Sequence, residues 1–398
     1  MSPPAPNLSS PRLTSLDAYR GFVMICLAGN GFGIAQTAKN FPDSSLWQSL
    51  RYQFDHVPWV GCAFWDLIQP SFMFMVGVAM PYSLAKRRQA GDTFGWLFAH
   101  AAFRAVVLVL LGVFLSSTSA KQTNFAFMNV LSQIGLGYVF LFLLAHWPRW
   151  AQAVAAVAIL VGYWGWFATY PLPPGEFDYT SVGLPADWPL LTGFEAHWQK
   201  NANAAAEVDL WLLNQFPRED DKPFVFNSGG YQTLNFIPSL VTMLLGLMTG
   251  DFIRRSTNRT SVFGTLLGVG IVFLASGWAI AHFGYCPLVK RIWTPSWTLF
   301  STGWTLLMLA GFYGLIDGVG VRAWSFPLVV AGMNSILLYM LSQMLKPWTQ
   351  RAMERHFGSW WLKVFGEAYQ PIIASCGVLL MFWLFVYWLY RQRVFLKI

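Results

Sequence analysis

Ten apolar runs of about bilayer-spanning length constrain this chain more than any other feature: 20–38, 64–85, 96–118, 127–145, 151–171, 233–253, 261–283, 298–317, 325–346 and 371–390. About 20 residues in a helix cross the hydrocarbon core, where each backbone polar group must bond within its own segment or in a closed barrel. Ten such runs take about half of the 398 residues, in a chain that is 55% hydrophobic and 11% charged. An ordinary soluble domain is roughly 25% charged. The expected fold is therefore all-α, a polytopic transmembrane helical bundle of about 10 spans.

An even number of spans places both termini on one side. Lys86-Arg87-Arg88, Arg149, Arg254-Arg255 with Arg259, Arg322, and Arg391, Arg393 and Lys397 all fall there. They are denser than the basic residues opposite, so the termini are expected in the cytoplasm. The chain then divides into a cytoplasmic segment 1–19, a transmembrane domain 20–390 with an outer loop 172–232, and a cytoplasmic tail 391–398. The first eighteen residues lack an apolar stretch, which argues against a cleavable signal peptide and leaves insertion to the first span. The net charge of +8 is spread over short loops, with no basic face for nucleic acid. The partner expected for the apolar surface is the lipid bilayer, and the exposed apolar and glycine faces would permit a homodimer.

The outer loop begins with a Pro-rich stretch, carries Trp188, Trp198 and Trp211, and reads as a lid with a short helix from Glu207 to Phe216. Residues 39–63 are amphipathic and aromatic, an interfacial segment leading into the second span. Cys62 and Cys286 fall near the same outer face, but two isolated small residues is the simpler reading of them. Neither the cysteines nor the scattered histidines have metal-ligand spacing, so no metal is expected.

Ionisable groups inside spans are costly unless paired or solvated. Asp251 and Asp317 sit at span ends and read as end charges or ion pairs. Arg104 lies deep enough to need a carboxylate partner or an anionic ligand. The first span opens on Thr14 and Asp17, a capping-box-like start, with Arg20 one helical turn beyond Asp17. Its far half carries Asn30 among glycines, read either as close helix packing or as an amide presented to a cavity. Asp55-His56, Trp59 and Asp66 then meet at the outer mouth of two adjacent spans. An imidazole oriented by a carboxylate can take a proton or an acyl group. A lone interfacial histidine is the alternative.

These residues carry a resemblance. RLTSLDAYRGFVMICLAGNGFG, DHVPWVGCAFWDLIQPSFMFMVGVAM, NVLSQIGLGYVF, GYQTLNFIPSLVTMLLGLMTG, GMNSILLYM and YRQRVFLKI follow in order along nearly the whole chain. Together they resemble the transmembrane domain of the heparan-alpha-glucosaminide N-acetyltransferase family, in a bacterial-type form without the luminal domain. The resemblance implies a membrane-bound acetyltransferase of the bacterial inner membrane. It would move the acetyl group of cytoplasmic acetyl-CoA to the amine of an extracytoplasmic glucosamine-type sugar or glycan. It makes His56 the catalytic histidine with Asn30 and Asp66 beside it, and sets Asp17 and Arg20 toward the cofactor. Arg87, Arg88, Arg104, Arg254 and Arg255 are further candidates for acetyl-CoA, and Asp55, Trp59, Gln133, Asn334 and Ser335 for the substrate cavity. The competing reading from composition and topology is a secondary transporter for an amino sugar, using Asp66, Arg104 and His56.

Overall fold

The first span is two helices, because four consecutive residues from Asn30 to Gly33 take positive φ. Helix α1 (Thr14–Ala28) stops there and α2 (Ile34–Ala38) leaves at 52°. Glycine tolerates this left-handed region and asparagine enters it more readily than most residues. The computed structural model describes residues 13–396. Residues 1–12 of the expected N-terminal segment, Lys397 and the final residue lie outside the described residues. The N-cap of α1 is Leu13, whose side chain makes no cap hydrogen bond. Asp317, brought from the end of a distant span, instead accepts the Ser15 N–H at 3.0 Å, placing a carboxylate at the positive end of the helix dipole.

The chain continues through the exposed α3 (Ser45–Gln53), then α4 (Ile68–Gln89), α5 (Phe94–Ser117), α6 (Val130–Leu144) and α7 (Arg149–Thr169). The outer loop holds α8 (Ala204–Leu213). Beyond it come α9 (Phe236–Arg255), α10 (Arg259–His282) and α11 (Pro295–Tyr313). The ninth apolar run is again broken, at Asn334, into α12 (Phe326–Met333) and α13 (Ser335–Met344), bent by 69°. An outer helix α14 (Lys346–Phe357) precedes α15 (Gln370–Arg391). Side chains of Thr93, Asn129, Asn258 and Thr294 accept N–H groups of the first turns of α5, α6, α10 and α11, fixing where those helices begin. The lid helix starts three residues before its expected position because Asn203 accepts the Ala205 and Ala206 N–H groups at 3.1 Å.

Each of the ten expected runs is helical. Among the described residues seven helices are long and apolar enough to cross a membrane, nine if each bent pair is one span, while α6 has 15 residues. Helices α4 and α9 form the centre: 61% of the apolar window of each is buried, against 17% for α10 and α15, which are left to face lipid. The central pair touches backbone to backbone, since a Cβ at Gly77 would collide with the Met243 carbonyl and one at Gly246 with that of Phe74. Because lipid gives no hydrophobic drive for helix association, such close packing is a main source of cohesion. Gly77→Val is therefore expected to cost at least about 2 kcal/mol and to lower the thermal midpoint in detergent. Gly264→Val, facing open space, should leave it nearly unchanged.

The lid is seated on an aromatic cluster at the outer end, where Trp59, Phe167, Trp198, Ala204, Ala205 and Val289 pack together. Beneath it Asp209 is fully buried; one carboxyl oxygen accepts the Thr233 N–H at 2.9 Å and the other has no partner. Burial pushes its carboxyl from 3.8 up to about 6. A carboxyl raised on folding stabilises the fold fully below its unfolded pKa, and that contribution is lost as pH rises through the folded value; here it is worth about 3 kcal/mol. The thermal midpoint of the wild type should thus fall between pH 4 and pH 7, and the fall should be much smaller in Asp209→Asn, as read by scanning both proteins across that window.

Candidate active site

The segment 54–63 reaches the bundle mouth as a loop and is pinned there from three directions. Gly61 donates to the Leu288 carbonyl at 2.9 Å beside an antiparallel bridge between Val60 and Val289. The Trp59 indole N–H donates to the Trp198 carbonyl at 3.0 Å, and Arg291 donates to the carbonyls of Val57 and Gly229. This lacing carries the chain past Val289 and sets Lys290 over the start of α4, where Asp66 is buried in the 3-10 turn Phe64–Leu67.

Four donors converge on the Asp66 carboxylate. One oxygen accepts His56 Nδ1 at 2.7 Å and Lys290 Nζ at 3.3 Å; the other accepts the backbone N–H groups of Ala63 at 3.2 Å and Val57 at 3.3 Å. The Asp66 and Lys290 side chains are 2% and 5% exposed, whereas His56 is 36% exposed. A carboxylate so supplied with donors takes the Nδ1 proton as a hydrogen bond, which leaves Nε2 as the unprotonated nitrogen. Lys290 Nζ also stands 3.3 Å from Nδ1, so one buried anion is shared between an ammonium and an imidazole.

His56 lines a cavity of about 420 Å³ together with Asn30, Asn129, Tyr231, Lys290 and Tyr339. A second cavity, of about 510 Å³, opens from the other end of the bundle and holds Asp17, Arg20, Arg87, His100, Arg104 and Ser335. Val130 and Tyr339 line both, so the two cavities abut inside the bundle. The second is cationic at its mouth. Arg20 lies 3.8 Å from Asp17, and Arg87 contacts His100 at 2.7 Å and Asp92 at 3.7 Å. Arg104 donates to the Tyr138 hydroxyl at 3.1 Å and lies over its ring. No carboxylate pairs with Arg104 among the described residues, and its buried Nε has no partner. Of the two readings of this arginine, the carboxylate pair is absent.

The remaining sequence candidates fall elsewhere. Arg88, Arg254 and Arg255 surround a separate cavity of about 350 Å³ with Arg149 and Asp251, where Asp251 accepts Arg149 and Arg255 at 2.8 Å and Arg254 at 3.3 Å. The end-charge reading of Asp251 thus accounts for those two arginines. Asp55 accepts the His56 N–H at 2.8 Å on the exposed side of the loop, and Trp59 is a brace within the lid cluster. Gln133 is expected in the cavity but is fully buried beside it, its amide donating to the carbonyls of Phe127 and Thr233 at 2.9 Å. Asn334 likewise turns from the cavity. Its amide donates to Val394 and accepts from Leu396 N–H at 3.1 and 3.0 Å, tying the chain after α15 to the break between α12 and α13. All four cysteines are free thiols.

Lys290 was not among the sequence candidates. The available signal is that Lys290-Arg291 sits in a short stretch between two spans on the side that the sequence reading expects to be external, where basic residues are disfavoured.

No family model matches the chain. It is 23% identical to the heparan-alpha-glucosaminide N-acetyltransferase of Homo sapiens over an alignment of 441 positions, and 20% identical to that of Mus musculus over 432; each covers 98% of this chain. The resemblance read from the ordered sequence blocks is thereby borne out along nearly the whole chain. The chain spans about three fifths of the length of these curated relatives, 60% and 61% respectively.

Proposed function

We propose that this integral membrane protein is an N-acetyltransferase that takes the acetyl group of acetyl-CoA from the cytoplasmic side and delivers it to the amine of a glucosamine-type sugar on the other side, across the bacterial inner membrane. The observation that carries this reading is the pair of abutting cavities, one with a cationic mouth and the other with an oriented histidine. A nucleotide carrying several phosphates suits the Arg20, Arg87 and Arg104 end, where the unpartnered Arg104 Nε supplies a donor. The thin pantetheine arm then reaches toward Val130 and Tyr339, so that only the acetyl group has to pass into the His56 cavity.

There His56 Nε2 has two available roles. As a general base it removes a proton from the acceptor amine while the nitrogen attacks the thioester carbon; as a nucleophile it takes the acetyl group first and passes it on. In both, the C–N bond forms, the C–S bond breaks, and the sulfur leaves as the CoA thiolate. Asp66 holds the imidazole in its tautomer and balances the charge it gains, while Lys290 holds Asp66. Asn30, exposed and lining the same cavity as His56, is the residue the family resemblance offers as a hydrogen-bond donor to the oxygen on which negative charge develops.

Purified protein in nanodiscs tests this with labelled acetyl-CoA and glucosamine. His56→Ala should bind acetyl-CoA as the wild type does and lose acetyl transfer by at least about 10³-fold. Asp66→Asn should keep binding and lose transfer by roughly 10²- to 10⁴-fold through the wrong tautomer. Absence of acetyl-CoA binding by the wild type would overturn the reading in favour of a transporter.

The donor end makes a separate prediction. Arg104→Met should raise the KM for acetyl-CoA by about tenfold, the value of one lost charge-assisted contact, with little change in kcat. An unchanged KM would remove Arg104 from the donor site.

A further inference from the structure

The turn between α6 and α7 crosses the end of the central pair α4 and α9, and the cavity of about 350 Å³ described above lies between these elements. It opens at the end of the bundle where the basic loops gather. Four guanidinium groups line it, those of Arg88, Arg149, Arg254 and Arg255, and its one acidic residue is Asp251. Three of the arginines already share that carboxylate, at 2.8, 2.8 and 3.3 Å. Arg88 has neither a hydrogen bond nor an ion pair among the described residues. The lining therefore carries a surplus of three positive charges. Guanidinium groups gathered this closely repel one another until an anion with several acceptor oxygens comes between them, and the planar fork of arginine suits the oxygens of a phosphate.

The rest of the lining sets the class of that anion. Pro81, Leu84 and Ala85 of α4, with Ala145 and Leu247, make an apolar wall next to the arginines. Charge beside hydrocarbon matches an amphiphile, whereas a free phosphate has no use for the apolar wall. Trp147, which also lines the cavity, and Trp150 are 52% and 72% exposed, and tryptophan rings so presented on a membrane protein lie at headgroup depth.

The cavity is also distinct from the donor end. Successive residues of a helix point about 100° apart, so α4 serves two openings from two faces. Met80, Ser83 and Arg87 line the inner cavity, and Pro81, Leu84 and Arg88 line this one. The two cavities share no lining residue.

We propose that this cavity binds the phosphate headgroup of an anionic phospholipid from the adjacent leaflet, with the first methylenes of its acyl chains against Leu84 and Leu247. The surplus charge favours a headgroup with two phosphates over a headgroup with one. Bound there, the lipid ties the ends of α4 and α9 to the turn between α6 and α7 and stabilises the bundle by mass action. None of this depends on the acetyltransferase reading.

The test uses full-length protein, stripped of lipid in a neutral detergent, with cardiolipin, phosphatidylglycerol, phosphatidylcholine and inorganic pyrophosphate as probes. Thermal midpoints report stabilisation, and native mass spectrometry reports the affinity for each lipid. Cardiolipin should raise the midpoint most and phosphatidylglycerol less, with no rise from phosphatidylcholine or pyrophosphate. Arg88→Gln, which breaks no bond within the protein, and Arg149→Gln should each weaken cardiolipin binding by about tenfold, the value of one lost charge-assisted contact. Arg87→Gln makes the same change of charge on the other face of α4 and should leave that affinity within about twofold. Equal weakening by Arg87→Gln would reduce the effect to diffuse surface charge and overturn the site. Stabilisation by pyrophosphate equal to that by cardiolipin would overturn the lipid as its source, and stabilisation by phosphatidylcholine equal to it would overturn the anion. Loss of acetyl-CoA binding by Arg88→Gln in the lipid-free detergent would return the cavity to the donor and overturn the proposal as well.

Discussion

The buried Asp66 carboxylate is the interaction on which the rest of this site depends. It is one negative charge inside a membrane protein, carried on the turn that starts α4, and its four donors come from two other stretches of chain: the loop 54–63 and the segment around Lys290. An unpaired charge at this depth would be strongly destabilising. Each donor therefore holds its own segment in position: Val57 and Ala63 fix the loop, Lys290 fixes the approach to α11, and His56 is left with a defined ring orientation. The lid takes its seat from the same arrangement, because Trp59 and Val289, which flank these donors, form part of the cluster beneath it. Stability of the outer mouth and orientation of the imidazole are one problem with one solution.

The bundle solves a second problem, that of keeping two openings from becoming one pore. The close backbone contact of α4 and α9 makes a solid centre, and the two cavities lie to its side, bounded by α1, α6 and α13 and narrowed where Val130 and Tyr339 face both. The two broken helices contribute to this shape. The break in α1 turns Asn30 to the outer cavity, while the bend after α12 lets Ser335 and Ile336 line the inner one. A straight helix in either place would present a continuous apolar face and leave no room for polar groups at mid-depth.

Much of this was legible in the sequence, for physical reasons that differ by element. The ten runs could be read because hydrocarbon imposes length and apolarity on each span separately. His56 and Asp66 could be paired because they are ten residues apart, close enough for one loop to join them. Lys290 could not, since it lies 224 residues from Asp66 and only the folded bundle brings them together. The resemblance puts Gln133 and Asn334 in the substrate cavity, whereas in the fold their side-chain amides donate to backbone carbonyls. The Asn334 amide is satisfied on both sides by the backbone at Val394 and Leu396, and the Gln133 NH2 group by the carbonyls of Phe127 and Thr233, rather than by facing a cavity. The first turn of α1 also draws a partner from far along the chain, Asp317, which accepts the Ser15 N–H. Local patterns locate polar groups in lipid; only tertiary structure says which neighbour meets them.

The attachment of the C-terminal tail has a practical consequence. Asn334 grips Val394 and Leu396, and Leu396 forms part of the wall of the inner cavity. The last turn of chain after α15 is thus not a free handle. A reporter or affinity label fused there would be leashed to the knee between α12 and α13, so its drag or bulk would be felt at that opening. A fluorophore attached to the tail would, by the same coupling, report on the opening from a distance.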